Sequence, residues 1–248
     1  MKKKEKRGGI IFNISVAIAK LFYKKREFFG LENLSEEPSL IIGNHAQVHG
    51  PVACQLYFPT KKRIWCIGQM MHLKEVPSYS YKDFWMYKPK WIRWFYKILS
   101  YVIALPASYY LGRADTLAVY KDARLLATYK ETLTRLEEGN NVIIFPECHE
   151  DFNDIVNEFQ DKFVDVARLY YKKTGKELLF VPMYNAAKIK KIVLGKPIKY
   201  NHEIDINEQR KIICDYLKEE ITRLAKELPR HKVIPFKNIK KKDYKYSK

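Results

Sequence analysis

The stretch Leu40-Ile41-Ile42-Gly43-Asn44-His45-Ala46-Gln47-Val48-His49-Gly50-Pro51 decides how this chain is read. Its apolar run, 40–43, has the length and composition of a buried strand, and it breaks at once into Asn-His and then a Gly-Pro pair, which is turn chemistry. Open α/β sheets bind ligands beyond the carboxyl ends of their strands, so a strand that ends in a turn carrying two histidines is a platform for chemistry. The competing reading makes His45 a cap for the following helix. A second stretch, Glu138-Gly139-Asn140-Asn141-Val142-Ile143-Ile144-Phe145-Pro146-Glu147, repeats the pattern of helix end, turn, short apolar strand and ionisable residue. Two such strand ends suggest one site assembled from segments distant in sequence.

Outward from these strands the pattern alternates. A helix is expected over 51–59 and a strand over 63–67. Residues 115–138 read as one helix with Leu126, Tyr129, Leu133 and Leu136 on its apolar face and Gly139 as its stop. Residues 153–173 read as another, through Ile155, Phe159, Phe163, Val166 and Tyr170. Strands follow at 178–181 and 191–194, then a helix over 207–228 through Ile213, Leu217, Ile221, Leu224 and Leu228. Strands alternating with helices give the α/β class: a single domain with a largely parallel central sheet, mixed strands allowed, flanked by helices.

The ends differ from the middle. Lys2, Lys3, Lys4, Lys6 and Arg7 precede an apolar segment in which Ile11, Ile14, Ile18 and Leu21 or Phe22 share one helical face and Asn13, Lys20 and Lys24 the other. Residues 1–27 are therefore expected to form a basic amphipathic helix that lies in a lipid interface; a signal peptide or a helix packed on the core are the alternatives. Residues 28–236 make the α/β domain. Residues 237–248, with Lys237, Lys240, Lys241, Lys242, Lys245 and Lys248, are expected to be a disordered basic tail.

Composition narrows the function. The 248 residues carry 46 Lys and Arg against 28 Asp and Glu, a formal charge of +18, which calls for an anionic partner. A hydrophobic content of 47% with 14% aromatic residues excludes a disordered chain. Cys54, Cys66, Cys148 and Cys214 stand apart with no metal-site spacing, and no metal is expected. Between 70 and 111 aromatic and basic residues interleave: Trp91, Trp94 or Phe95, Ile98 and Val102 share a helical face opposite Arg93, Lys97 and Ser100. Such a mixture suits a membrane interface. It also suits single-stranded nucleic acid, but no nucleic-acid-binding motif accompanies it, so nucleic acid is the lesser expectation.

Taken in order, Gly30-Leu31-Glu32-Asn33-Leu34, Asn44-His45, Gly112-Arg113, Phe145-Pro146-Glu147, Val181-Pro182 and Leu194-Gly195-Lys196-Pro197-Ile198 resemble the glycerolipid acyltransferase family that includes 1-acylglycerol-3-phosphate acyltransferase. The resemblance spans residues 28–199. It implies transfer of a fatty acyl chain from acyl-CoA or acyl carrier protein to the hydroxyl of a lysophospholipid or related lipid alcohol, with no other cofactor, by a peripheral protein on the cytoplasmic face of the membrane. In that family a histidine is the base, and an aspartate five positions on orients it. His45 matches the histidine; Gly50 stands in the aspartate's place. By the same resemblance Arg113 contacts the acceptor's phosphate, and Asn44, Gln47, Phe145 and Pro146 bind substrate beside the catalytic pair His45 and Glu147. The family follows its Phe-Pro-Glu with a glycine, a small hydroxyl residue and an arginine, where this chain has Cys148, His149 and Glu150. Lys121 or Lys162 could supply positive charge instead.

Three readings of the Gly50 departure remain open. A carboxylate from Glu147, Glu150 or Asp151 orients His45; Gln47 or His49 holds it more weakly; or the chain keeps the scaffold as a lipid-binding protein without catalysis. The criterion is geometric: an orienting carboxylate must lie within hydrogen-bond distance of the imidazole.

Overall fold

The computed structural model describes residues 8–248 except 87, 121 and 238, and for 149 and 150 the main chain only. The lysines and arginine at 2–7 and Lys121 lie outside the described residues. In chain order the first half holds α1 (Ile10–Phe22), β1 (Glu27–Phe29), β2 (Ser39–Gly43), α2 (His49–Tyr57), β3 (Lys62–Ile67), α3 (Val76–Ser80), α4 (Arg93–Val102) and α5 (Ala104–Leu111). There follow β4 (Thr116–Val119), α6 (Leu125–Glu137), β5 (Asn141–Ile144), β6 (Glu147–Phe152), β7 (Asn157–Phe159) and α7 (Asp165–Thr174). Last come β8 (Leu179–Ala186), β9 (Lys191–Leu194), β10 (Ile198–Lys199) and α8 (Ile206–Glu227). The class is α/β with a mostly parallel sheet, as the alternation implies. Two compact units are distinguished, one of α1 with Ile64–Glu131, the other of Tyr23–Arg63 with Thr132–Lys248.

In the second unit the strands run in the order β1-β9-β8-β2-β5. All residues of β2 are buried, and parallel neighbours pair with it on both sides: Leu40 stands level with Val142 of β5 and with Phe180 of β8. A central parallel strand covered on both faces has no solvent side, which is why it reads as a continuous apolar run. β9 folds back antiparallel on β8 and pairs in parallel with β1. Helix α8 packs on β8 through a buried stripe of Ile213, Leu217, Ile221 and Leu224, and Asp205 caps its start by accepting from Asn207 N at 2.8 Å. Gly30, with φ of 73°, turns the chain after β1 at a point where a Cβ would run into the Leu194 carbonyl oxygen; Asn33 Nδ2 donates to that same oxygen at 3.0 Å.

Two expected helices are shorter than the pattern suggested. Residues 116–119 are the strand β4, paired in parallel with β3 from Ile64↔Thr116 to Ile67↔Val119, and α6 begins only at Leu125. Of the expected apolar face of α6, Tyr129 and Leu136 are buried, together with Thr128 and Thr132, while Leu133 is half-buried and Leu126 is 74% exposed. The segment 153–173 opens instead as a hairpin. Asn153 Oδ1 accepts from the main-chain N–H groups of Ile155 and Val156, Asp154 adopts φ of 71°, and β6 and β7 pair antiparallel across the turn. An Asx turn of this kind offers the backbone an alternative to the helix, so the i, i+4 run of Ile155, Phe159 and Phe163 served two different elements.

In the first unit the apolar face of the 91–102 segment, expected to meet an interface, is exposed. Ser100 of α4 is 1% exposed and donates to the Lys97 carbonyl, while Trp94, Ile98, Tyr101 and Val102 of the same helix are exposed and Trp91, just before it, is 75% exposed. Helix α1 buries none of its residues.

The 237–248 segment is folded rather than a disordered tail. Val233 N donates to Lys245 O, Ser247 N to His231 O, and Lys232 bridges Tyr246, with Tyr244 and Ser247 buried. Its lysines point outward, and the residues between them do the packing, which a count of charges does not register.

Gly30 and Gly139 both have positive φ, but a Cβ at Gly139 meets nothing within 4 Å. Gly139→Ala should therefore lower the unfolding free energy by about 1 kcal/mol, the cost of a left-handed L-residue. Gly30→Ala should cost several times more, read as a larger fall in the urea midpoint; equal falls would show that the Leu194 approach is not constraining.

Candidate active site

The carboxyl ends of β2, β5 and β8 meet in the second unit, and their side chains fix one another. Asn44, the first residue past β2, accepts from Asn185 N at 2.6 Å and reaches Asn185 O with its own amide at 3.4 Å. A buried side chain thus extends the β2–β8 ladder one step beyond the strand. The Asn185 side-chain amide is buried and has no partner among the described residues, the kind of group that a polar ligand can satisfy. Phe145 enters because Gly43 and Gly50 leave it room: a Cβ at Gly43 would lie 3.2 Å from the Phe145 ring, and one at Gly50 2.8 Å.

Past Asn44 the chain makes a left-handed turn, with φ of 45° at Ala46 and 57° at Gln47. Each such L-residue costs about 1 kcal/mol, so the turn needs support. Gly50 N donates to His45 O and His49 N to Ala46 O. Ala46 is buried against Ile234 and Tyr244, and Gln47 Nε2 donates to Tyr244 Oη at 2.9 Å. The turn brings the Gln47 carbonyl onto His45 Nδ1. A carbonyl only accepts, so Nδ1 carries the ring proton and Nε2 presents a lone pair. No described residue hydrogen-bonds to Nε2. The centroids of the Phe145 and Phe236 rings lie 5.4 and 5.3 Å from that of the imidazole.

Glu147 is 3% exposed and does not touch the imidazole. Its Oε2 accepts from the main-chain N–H of His45 at 2.5 Å and its Oε1 from that of Asn157 at 3.0 Å. The carboxylate therefore clamps the β2 turn to the β6–β7 hairpin. Asp151 is exposed, and the side chain of Glu150 lies outside the described residues. Among the described residues no carboxylate oxygen bonds to the His45 ring; the group on Nδ1 belongs to Gln47, through its main chain. His49 faces elsewhere, where Tyr23 Oη lies 3.2 Å from its Nδ1 and donates to its carbonyl. At Gly50 a Cβ would stand 2.9 Å from the carbonyl oxygens of Asn44 and His45, so any larger residue there would have to push the turn apart.

No known protein-family profile matches the chain. No curated protein matches it either. Among solved structures, a similar fold is found in the crystal structure of the 1-acyl-sn-glycerophosphate (LPA) acyltransferase PlsC from Thermotoga maritima, at 15% sequence identity over 90% of this chain and 84% of that chain, with a TM-score of 0.43. The chemistry of the site is accordingly read from its own residues.

Of the residues singled out in the sequence, Asn44, His45, Gln47, Phe145, Pro146 and Glu147 converge in the second unit; Pro146 contributes its carbonyl, which accepts from Gln160 N at 2.9 Å. Arg113 belongs to the first unit, where its guanidinium sits 4.0 Å from the centroid of the Tyr109 ring. The sequence reading missed Asn157, Asn185, Phe236 and Tyr244. Asn185 was within reach, since it directly continues the strand that carries Val181-Pro182.

Burial sets the charges. It lowers the His45 pKa to about 4, so the ring is neutral at pH 7, and it raises that of Glu147 to about 7 against the pull of the N–H donors of Asn157 and His45. The two act on stability in opposite directions. As pH falls from 6.5 to about 4 the unfolded chain takes up a proton at His45 that the folded chain refuses, so stability is lost; as pH falls from about 7 to 4.5 the folded chain takes up a proton at Glu147 first, so stability is gained. The wild type should show little net slope from this pair. Glu147→Gln should lose stability on acidification below 6.5, and His45→Gln should gain it, each by a few kcal/mol in urea titrations at pH 4.5 and 7. Parallel slopes in the two variants would refute this assignment.

Proposed function

We propose that the chain is an acyltransferase that moves a fatty acyl group from acyl-CoA or acyl carrier protein to the hydroxyl of a lysophospholipid or related lipid alcohol, with His45 as the base. The observation that carries this reading is the neutral His45 ring at the carboxyl end of the central strand, its Nδ1 tied to the Gln47 carbonyl and its Nε2 lone pair open. The ordered motif resemblance supplies the reaction class. In the reaction Nε2 takes the proton of the acceptor hydroxyl as that oxygen bonds to the thioester carbonyl carbon. The tetrahedral oxyanion then collapses, the C–S bond breaks, and the imidazolium returns its proton to the departing thiolate. A resting pKa near 4 rises as the oxyanion forms beside the ring, because opposite charge favours the protonated form. Loss of the carboxylate in a serine-protease triad costs about 10⁴ in rate, much of it through the wrong tautomer. Here the carbonyl preserves the tautomer, and only the stabilisation of the imidazolium by full negative charge is absent. Glu147 supports the base by holding its main chain, and Arg113 is the candidate phosphate contact by resemblance alone.

The same reading places the protein on the cytoplasmic face of a membrane as a peripheral protein. No helix among the described residues is long and apolar enough to cross a bilayer. What supports attachment is the pair of unburied faces in the first unit: Ile11, Ile14 and Ile18 of α1, and Trp94, Ile98 and Val102 of α4 beside Lys90 and Lys97. Aromatic and basic groups together favour an anionic lipid interface.

A second reading, a lipid-binding protein on this scaffold without catalysis, is favoured by the absence of a carboxylate on the imidazole among the described residues. Thiol release from acyl-CoA or acyl carrier protein, assayed over a panel of lysophospholipid acceptors, separates the two. His45→Gln should lower kcat by about 10²- to 10⁴-fold with its circular dichroism unchanged. Wild type and His45→Gln equally inactive across the panel would establish the second reading instead.

Attachment is checked independently of turnover. The protein should sediment with vesicles containing anionic lipid and be released only in part by 1 M salt, since the screening length there is about 3 Å while apolar insertion is unscreened. Trp91→Ala with Trp94→Ala should weaken that partition by about tenfold or more. Sedimentation that is the same for the double variant and the wild type would exclude α4 as the inserting face.

A further inference from the structure

The residues that support the left-handed turn come from an unexpected place. Val233 and Lys245, His231 and Ser247, and Lys232 and Tyr246 pair as a short antiparallel hairpin. That hairpin is anchored to β8, where the buried His231 Nε2 lies 2.8 Å from Tyr184 Oη and its Nδ1 lies 2.8 Å from the Pro229 carbonyl. Ser247 Oγ closes the network by accepting from His231 N at 3.1 Å. From this anchor the C-terminal segment reaches the His45 turn at two points. Phe236 lies against the imidazole, and the buried Tyr244 packs on Ala46 and receives the Gln47 side-chain amide.

We propose that Tyr244 is a positioning residue for His45, acting through Gln47: by holding the Gln47 side chain it keeps the Gln47 carbonyl on Nδ1 and so fixes the tautomer that leaves Nε2 available. Residue 47 is an L-amino acid at φ of 57°, a conformation that other backbone states outcompete unless neighbours hold it. Gln47 is held at its amide by Tyr244 and next door by the burial of Ala46. The tyrosine hydroxyl therefore does at one remove what an orienting carboxylate does directly: it selects one ring tautomer. Phe236 and Phe145 both pack against the ring, and Tyr244 limits its protonation pattern.

This inference rests on His45 being the base for its kinetic consequence, but the tautomer itself is observable without turnover. In the full-length ¹⁵N-labelled protein, long-range ¹H–¹⁵N spectra of the histidine rings, with His45 assigned by its loss in His45→Gln, should show a protonated Nδ1 and an unprotonated Nε2. In Tyr244→Phe both nitrogens should move toward intermediate shifts as the tautomers exchange, and Gln47→Ala should do the same. Acyl transfer by Tyr244→Phe should fall about fivefold in kcat with KM unchanged, the size expected for one hydrogen bond acting on the transition state. A merely structural tyrosine would lower the melting temperature without moving the tautomer or splitting kcat from KM. Ring shifts that stay at their wild-type values in both variants would overturn the proposal. Shifts that move while the wild type transfers no acyl group to any acceptor would uphold the positioning role and remove the catalytic reading.

Discussion

A single buried carboxylate ties the second unit together where its chemistry would have to occur. Glu147 accepts two main-chain N–H groups, one from His45 and one from Asn157, and so joins the turn after β2 to the hairpin that follows β5. Main-chain donors that face a strand end have no ladder partner, and leaving them buried and unsatisfied would cost 1–3 kcal/mol each. The carboxylate meets both needs at once, and the cost of burying it appears as its raised pKa. That clamp fixes His45 N at the start of the turn; Ala46 and Gln47 take left-handed conformations after it, and the Gln47 carbonyl comes to lie on the ring.

The electrostatics follow from the same enclosure. A neutral imidazole and a carboxyl group with a pKa near 7 are held by one turn, each pushed toward its uncharged form by desolvation rather than by a charged partner. Because a carbonyl oxygen carries no net charge, the tautomer of His45 is set by hydrogen bonding alone. That separates two functions which a dyad aspartate combines, orientation and charge stabilisation, and leaves the first to Gln47 with Tyr244 behind it.

The first unit carries the opposite distribution of surface. Ser100 is buried and Trp91 and Trp94 are not, while α1 buries nothing. Scattered exposed apolar residues are ordinary on soluble proteins, whereas whole exposed apolar helix faces are not, and it is on these faces that the proposed attachment rests. Lys90 and Lys97 are exposed in the same unit.

The sequence by itself determined the elements whose signal is local. The buried strand at 39–43, the strands at 141–144 and 191–194 and the long helix through Ile213, Leu217 and Ile221 were legible because apolar periodicity depends only on neighbours along the chain. His45 and Glu147 could be picked out as ionisable groups at strand ends for the same reason. What tertiary structure alone decided is who touches whom. Glu147 bonds to a main-chain N–H at position 45 and not to the ring, and the ring's partner is a carbonyl two residues on that only a left-handed backbone can deliver. Tyr244 acts on Gln47 across nearly the whole chain. The helical spacing through 155–163 was real but was captured by an Asx turn, and the spacing in α4 gave its two faces without saying which would be buried. Periodicity fixes the direction of side chains relative to one another; burial and hydrogen-bond partners depend on which surfaces the folded chain brings against them.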